Sequence, residues 1–147
     1  MKKSDEPIVV EQNFDVSLAE LWGAVTEIKQ MKQWFFENIE SFQPKVGYET
    51  KFVVENEGRN SPHLLKVIEV EERKKITLNW KYEGYSGDSF VTIQFFENEK
   101  GTSLKLAHIT TEDFPSNIPE FTRKSCQSGW DYFIKENLTE YLKLEND

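Results

Sequence analysis

Apolar residues recur along this chain in two periods, and the switches between them mark where elements begin and end. Residues 8–14 are rich in β-branched side chains, lie between Pro7 and Asp15, and predict a strand. The period then lengthens. Leu18, Leu21, Trp22 and Val25 fall three and four apart, Ser17 with Glu20 forms a capping box, and Val16 and Leu21 are placed to staple it, so a helix is predicted here. Ile28, Met31, Trp34 and Phe35 make the apolar edge of a second short helix, with a break in phase near Thr26 and Glu27. After Phe35 the alternation becomes two-fold, interrupted by turn residues, which is the pattern of an antiparallel meander. A short strand is expected at 39–42, ending at Pro44 and Gly47, and another at 50–57. The stretch Gly58-Arg59-Asn60-Ser61-Pro62 reads as the longest loop of the sheet. Residues 63–72 form the next strand, followed by a charged turn at Arg73 and Lys74. The cleanest alternation is at 75–82, with Ile76, Leu78, Trp80 and Tyr82 on one face and Lys75, Thr77, Asn79 and Lys81 on the other. Strands at 89–96 and 102–110 complete the set; Val91, Ile93 and Phe95 share a face of the first, and Leu104, Leu106 and His108 a face of the second.

Residues 117–144 return to helical spacing. Cys126, Trp130, Phe133, Ile134, Leu138 and Tyr141 form one stripe, while Lys135, Glu136, Thr139, Glu140 and Lys143 occupy the opposite face, as in a helix laid over a sheet. Asn117 as the cap, Pro119 in the first turn and Glu120 three residues on predict a continuous helix over 119–142, with Trp130, Phe133 and Ile134 against the sheet. Gly129 is out of place. A helical glycine costs about 1 kcal/mol against alanine, which suggests that another backbone or a bulky group passes close by. Asn137 falls inside the apolar stripe and either bonds a buried carbonyl or points into a cavity.

Composition narrows the function. A chain of 147 residues is expected to form one domain spanning 1–147 and to bury roughly two thirds of its unfolded surface. Eleven Phe, five Tyr and four Trp supply a core of large flat side chains that pack with gaps or line a pocket. The formal net charge of −8 argues against a nucleic-acid partner and, with no apolar run of bilayer length, against a membrane partner. A lone Cys126 forms no internal disulfide, and the polar residues 1–7 lack the apolar run of a secretory signal, so a cytoplasmic location is expected. Chemistry is thinly provided. His63, His108 and Cys126 have no metal-ligand spacing, and no Walker loop, dinucleotide fingerprint or nucleophile elbow is present; no catalytic residue, metal or cofactor is expected. His108, a polar residue on an apolar strand face, is either a satisfied core histidine or a group that orients a ligand or moves a proton.

A resemblance spans nearly the whole chain. It is carried by residues 16–22 opening the first helix, Trp34 closing the second, Gly47, the stretch 69–80 with its charged turn, Val91-Thr92, Gly101-Thr102 with Leu104, Leu106 and His108, and Gly129-Trp130. In the order strand, two short helices, about six antiparallel strands, long C-terminal helix, the chain resembles the START-like (SRPBCC, Bet v 1-like) helix-grip fold. Within that fold it resembles the family named after the activator of the Hsp90 ATPase, in its bacterial single-domain form. The resemblance implies an α+β architecture, a curved antiparallel sheet wrapped around a long C-terminal helix, with a cavity between them. In related folds that cavity holds lipids, sterols, polyketides or hormones. The lining implied here is Trp34, Phe52, Leu78, Trp80, Tyr82 and Leu106, with Trp130 and Phe133 from the helix and His108 or Asn137 as the polar contact. The expected function is binding of a small apolar molecule; docking on an Hsp90-type chaperone and polyketide cyclase-like catalysis are the alternatives.

Overall fold

The computed structural model describes residues 1–145. β1 (Ile8–Phe14) is followed by α1 (Leu18–Thr26) and α2 (Ile28–Trp34). Then come β2 (Glu49–Asn56), β3 (Arg59–Glu71), β4 (Lys75–Tyr82), β5 (Asp88–Asn98) and β6 (Gly101–Glu112). A 3-10 turn at Pro119–Phe121 leads into α3 (Arg123–Asp131), a π-helical segment (Tyr132–Leu138) and α4 (Thr139–Glu145). The six strands form one antiparallel sheet in the order β1-β6-β5-β4-β3-β2, curved around the C-terminal helix.

Local chemistry explains most of the boundaries. The Ser17 Oγ accepts from the Glu20 backbone N–H at 3.1 Å and donates to its carboxylate at 3.2 Å, the expected capping box. β4 alternates as its sequence does, burying Ile76, Leu78, Trp80 and Tyr82 on the concave face. At Ile68 a bulge shifts the β3–β4 register, which turns Ile68 outward and keeps Val67 and Val70 on the core side.

Three expectations are corrected. No strand forms at 39–42; Ile39 and Phe42 are buried as core plugs from an irregular segment that follows α2, so their spacing reflects burial rather than pairing. The stretch 58–62 is not a loop. Glu57 and Gly58, both at positive φ (51° and 79°), make a two-residue hairpin turn, and Asn56 pairs directly with Arg59. Pro62 is tolerated inside β3 because β4 pairs no further than Tyr82 with His63, leaving only the Pro62 carbonyl to accept from Glu83 N–H.

The third correction concerns the long helix. Its cap is Thr122, whose Oγ1 accepts from Ser125 N–H, rather than Asn117; Pro119 and Glu120 belong to the preceding 3-10 turn. Beyond Thr122 the helical path is continuous but under-wound in its middle. Trp130, Ile134, Leu138 and Leu142, all buried, recur every four residues. In an α-helix a four-residue step over-rotates by about 40°, so three steps would carry Leu142 off the stripe; the π segment takes up that excess and keeps all four on the sheet. The hydroxyl of Thr139, which follows the π segment, donates to the Ile134 carbonyl five residues back.

Candidate functional site

The concave face is filled differently along its length, and a cavity of about 290 Å³ lies where β3, β4 and β6 face α3. Strand register builds its floor. His63 pairs with Tyr82 and Leu65 with Trp80, so Ser61 and His63 of β3 stand beside Trp80 and Tyr82 of β4 on the inner face, with His108 of β6 beyond. The roof is Ser125, Cys126, Gly129 and Trp130 of α3 with Phe133 of the π segment, and the exposed residues Glu55, Asn56 and Ser125 mark the side open to solvent. Phe36 and Phe121 close the flanks.

Aromatic rings converge here. Trp80 meets Trp130 edge to face at 5.2 Å, Phe36 meets Phe133 at 4.9 Å, and Tyr82 stacks on Phe121 at 4.2 Å. A hydrogen-bond chain fixes the rear wall. The Trp130 indole N–H donates to His108 Nδ1 at 3.0 Å, and an indole can only donate, so that nitrogen is unprotonated. His108 Nε2–H therefore donates to Ser89 Oγ at 2.8 Å, and the Ser89 hydroxyl donates to the Trp80 carbonyl at 2.6 Å. Burial lowers the His108 pKa to about 4, in keeping with a neutral ring. Both ring nitrogens of His108 are thus engaged by the protein. Trp80 Nε1–H donates in turn to the Tyr82 hydroxyl at 3.0 Å, and burial raises the Tyr82 pKa.

The front wall is less satisfied. His63 Nδ1–H donates to the Ser61 carbonyl at 2.9 Å, leaving Nε2 as an acceptor, and burial lowers its pKa to about 4. Ser61 is 3% exposed, and its Oγ has no hydrogen-bond partner among the described residues. Cys126 lines the roof with its thiol raised to about 11 by burial, which removes the thiolate that nucleophilic chemistry needs. At the end of the cavity Arg59 Nη1 donates to both Glu120 carboxylate oxygens at 2.7 Å, tying the start of β3 to the 3-10 turn before α3.

Of the ten residues expected to line the cavity, Trp80, Tyr82, His108, Trp130 and Phe133 do so. The other five lie elsewhere. Trp34 donates its indole N–H to the Ala24 carbonyl at 2.7 Å and joins α2 to α1. Phe52 stacks on His63 at 5.0 Å from β2, outside the cavity wall, while Leu78 and Leu106 are buried farther along the sheet. Asn137 Nδ2 donates to the Trp34 carbonyl at 3.2 Å, the carbonyl-bonding alternative, and clamps the π segment to α2. Gly129 is also corrected. A Cβ built on it meets nothing within 4 Å, so no backbone or bulky group passes close by; the space beside it is the cavity. Ser61 was missed because 58–62 reads as a loop, and His63, at the start of the expected strand 63–72, was assigned to no face. The available signal was the two-residue spacing of Ser61, His63, Leu65 and Val67, which continues one buried face through the supposed loop.

A six-stranded antiparallel sheet gripping a C-terminal helix, with a cavity beneath that helix, defines the helix-grip class of α+β proteins. The chain belongs to the family described as activator of Hsp90 ATPase homolog 1-like protein, whose model matches residues 15–143. Solved structures agree on the fold. A Mesorhizobium loti protein superposes with a TM-score of 0.73 at 22% identity, covering 94% of this chain and 97% of that one. The Aha1 dimer from Colwellia psychrerythraea gives 0.69 at 21%, covering 94% and 96%. DynU16, a putative protein in the dynemicin biosynthetic locus, gives 0.73 at 21% over 95% of this chain, which spans only 48% of that longer protein. No curated protein matches the chain. No helix among the described residues is long and apolar enough to cross a membrane.

Proposed function

We propose that this protein binds a small, largely apolar molecule in the cavity beneath α3. The observation that carries the reading is the conjunction of about 290 Å³ of space, a wall of converging aromatic rings, and a helical glycine opposite them with nothing against it. That volume is at the lower end of the roughly 300–1,000 Å³ typical of ligand pockets, so the occupant is closer to a bicyclic aromatic than to a sterol. The fully engaged nitrogens of His108 and the buried thiol of Cys126 favour binding over chemistry.

The test is a titration of 15N-labelled protein with naphthalene, followed at the indole N–H signals. Trp80 and Trp130 line the cavity, whereas Trp22 and Trp34 sit away from it and serve as internal controls. Saturable shifts at Trp80 and Trp130, with Trp22 and Trp34 unmoved, are expected. No saturable shift at either lining tryptophan would overturn the reading and leave the surface-docking role that the family's description suggests.

A further inference from the structure

The cavity has one polar end, and its chemistry selects among apolar ligands. Ser61 and His63, two apart on β3, both face the space under α3. Leaving a buried hydroxyl without a partner costs about 1–3 kcal/mol, and in a folded protein such a group is an exception that calls for a reason. Ser61 Oγ is the buried side-chain atom in that condition among the described residues. Beside it, His63 spends its Nδ1 proton on the Ser61 carbonyl, which fixes the tautomer and presents Nε2 as a pure acceptor. One wall therefore offers a hydroxyl that donates and an imidazole nitrogen that accepts, a matched pair for a group that does both.

Charge decides what kind of group. Arg59 is held by both oxygens of the lining residue Glu120, and the other carboxylate at the opening is Glu55. Among the described residues no lysine or arginine lines the cavity, and of its two carboxylates Glu120 is neutralised by Arg59 while Glu55 is not, so an anionic ligand meets repulsion and no free counter-charge. Resting on the binding reading above, we propose that Ser61 and His63 form the polar subsite of the cavity and that its ligand is a neutral, flat aromatic molecule bearing a hydroxyl at the end that meets β3. The ligand hydroxyl donates to His63 Nε2 and accepts from Ser61 Oγ, while the ring system lies among Trp80, Trp130 and Phe133.

Three probes of one size separate the possibilities: naphthalene, 2-naphthol and 2-naphthoate, titrated against the full chain at pH 7.5 with the indole signals as readout. The wild type is expected to bind 2-naphthol at least about tenfold more tightly than naphthalene, and 2-naphthoate most weakly of the three. Ser61→Ala and, separately, His63→Phe should each bring 2-naphthol to within about threefold of naphthalene measured on the same variant. Ser61→Ala removes an unsatisfied group and is expected to fold at least as well as the wild type, so it carries the test should His63→Phe fail to fold. Equal binding of naphthalene and 2-naphthol would overturn the polar subsite while leaving the cavity reading intact, and tightest binding of 2-naphthoate would overturn the neutrality argument. Binding of none of the three would remove both proposals together.

Discussion

One helix and one sheet produce a closed half and an open half, and the difference lies in which side chains meet. Along the π segment and α4, Ile134, Leu138 and Leu142 press onto the sheet at four-residue intervals, with Ile134 and Leu138 fully buried. Polar ties seal that half: Asn137 to the Trp34 carbonyl, and Gln12 to the Thr139 hydroxyl at 3.3 Å. Along α3 the same face carries Cys126, Gly129 and Trp130 against Trp80, Tyr82 and His63. Branched aliphatics bury themselves fully in their half, whereas rigid rings opposite a residue with no side chain leave space. The cavity is thus a consequence of composition at one end of the helix, not of the fold alone.

The largest stability effect is expected at the border of the two halves. Trp130→Ala empties a large buried site and strips His108 Nδ1 of its donor, and should cost about 3–5 kcal/mol in chemical denaturation. Leu138→Ala, in the closed half, should cost about 2–5 kcal/mol yet leave naphthalene affinity within about threefold of wild type. A large loss of affinity in Leu138→Ala would show that the two halves are not separable.

Acid should reach the open half through its histidines. His63 and His108 are held neutral, with pKa values lowered to about 4, whereas the unfolded chain titrates near 6.5. Between those values the unfolded state binds more protons, so stability is complete above about pH 6.5 and is lost as pH falls toward about 4. Each histidine contributes on the order of 3 kcal/mol to that loss. Urea midpoints at pH 7.5 and 4.5 measure it, and His63→Phe should remove about half of the dependence attributable to the pair.

Much of this fold is legible in the sequence. The strict alternation at 75–82, the Ser17 capping box and the phase break at Glu27 follow from local rules that tertiary contacts did not override. The failures have physical causes. Gly58 to Pro62 has the composition of a loop, but a two-residue turn needs positive φ only at Glu57 and Gly58, and the proline is harmless where β4 has ended. That misreading hid Ser61 and cut the buried face off at His63, so the polar end of the cavity went unseen. Asn117 and Thr122 both have capping chemistry, and only the packed position of Phe121 makes the second the start of α3. Trp34, Leu78 and Leu106 face the core as their patterns require, but periodicity cannot separate a residue that lines a void from one that fills it.

Gly129 bears most directly on the central claim that this chain keeps space under α3 for a ligand. A leucine there meets no atom within 4 Å of its Cβ, replaces a poor helix former with a good one, and fills the cavity from the roof. Thermal unfolding and naphthalene titration of Gly129→Leu are expected to move in opposite directions, with stability raised by about 1 kcal/mol and affinity reduced at least about tenfold. A variant that binds naphthalene as the wild type does would contradict the account, because the ligand would then lie somewhere other than beneath α3.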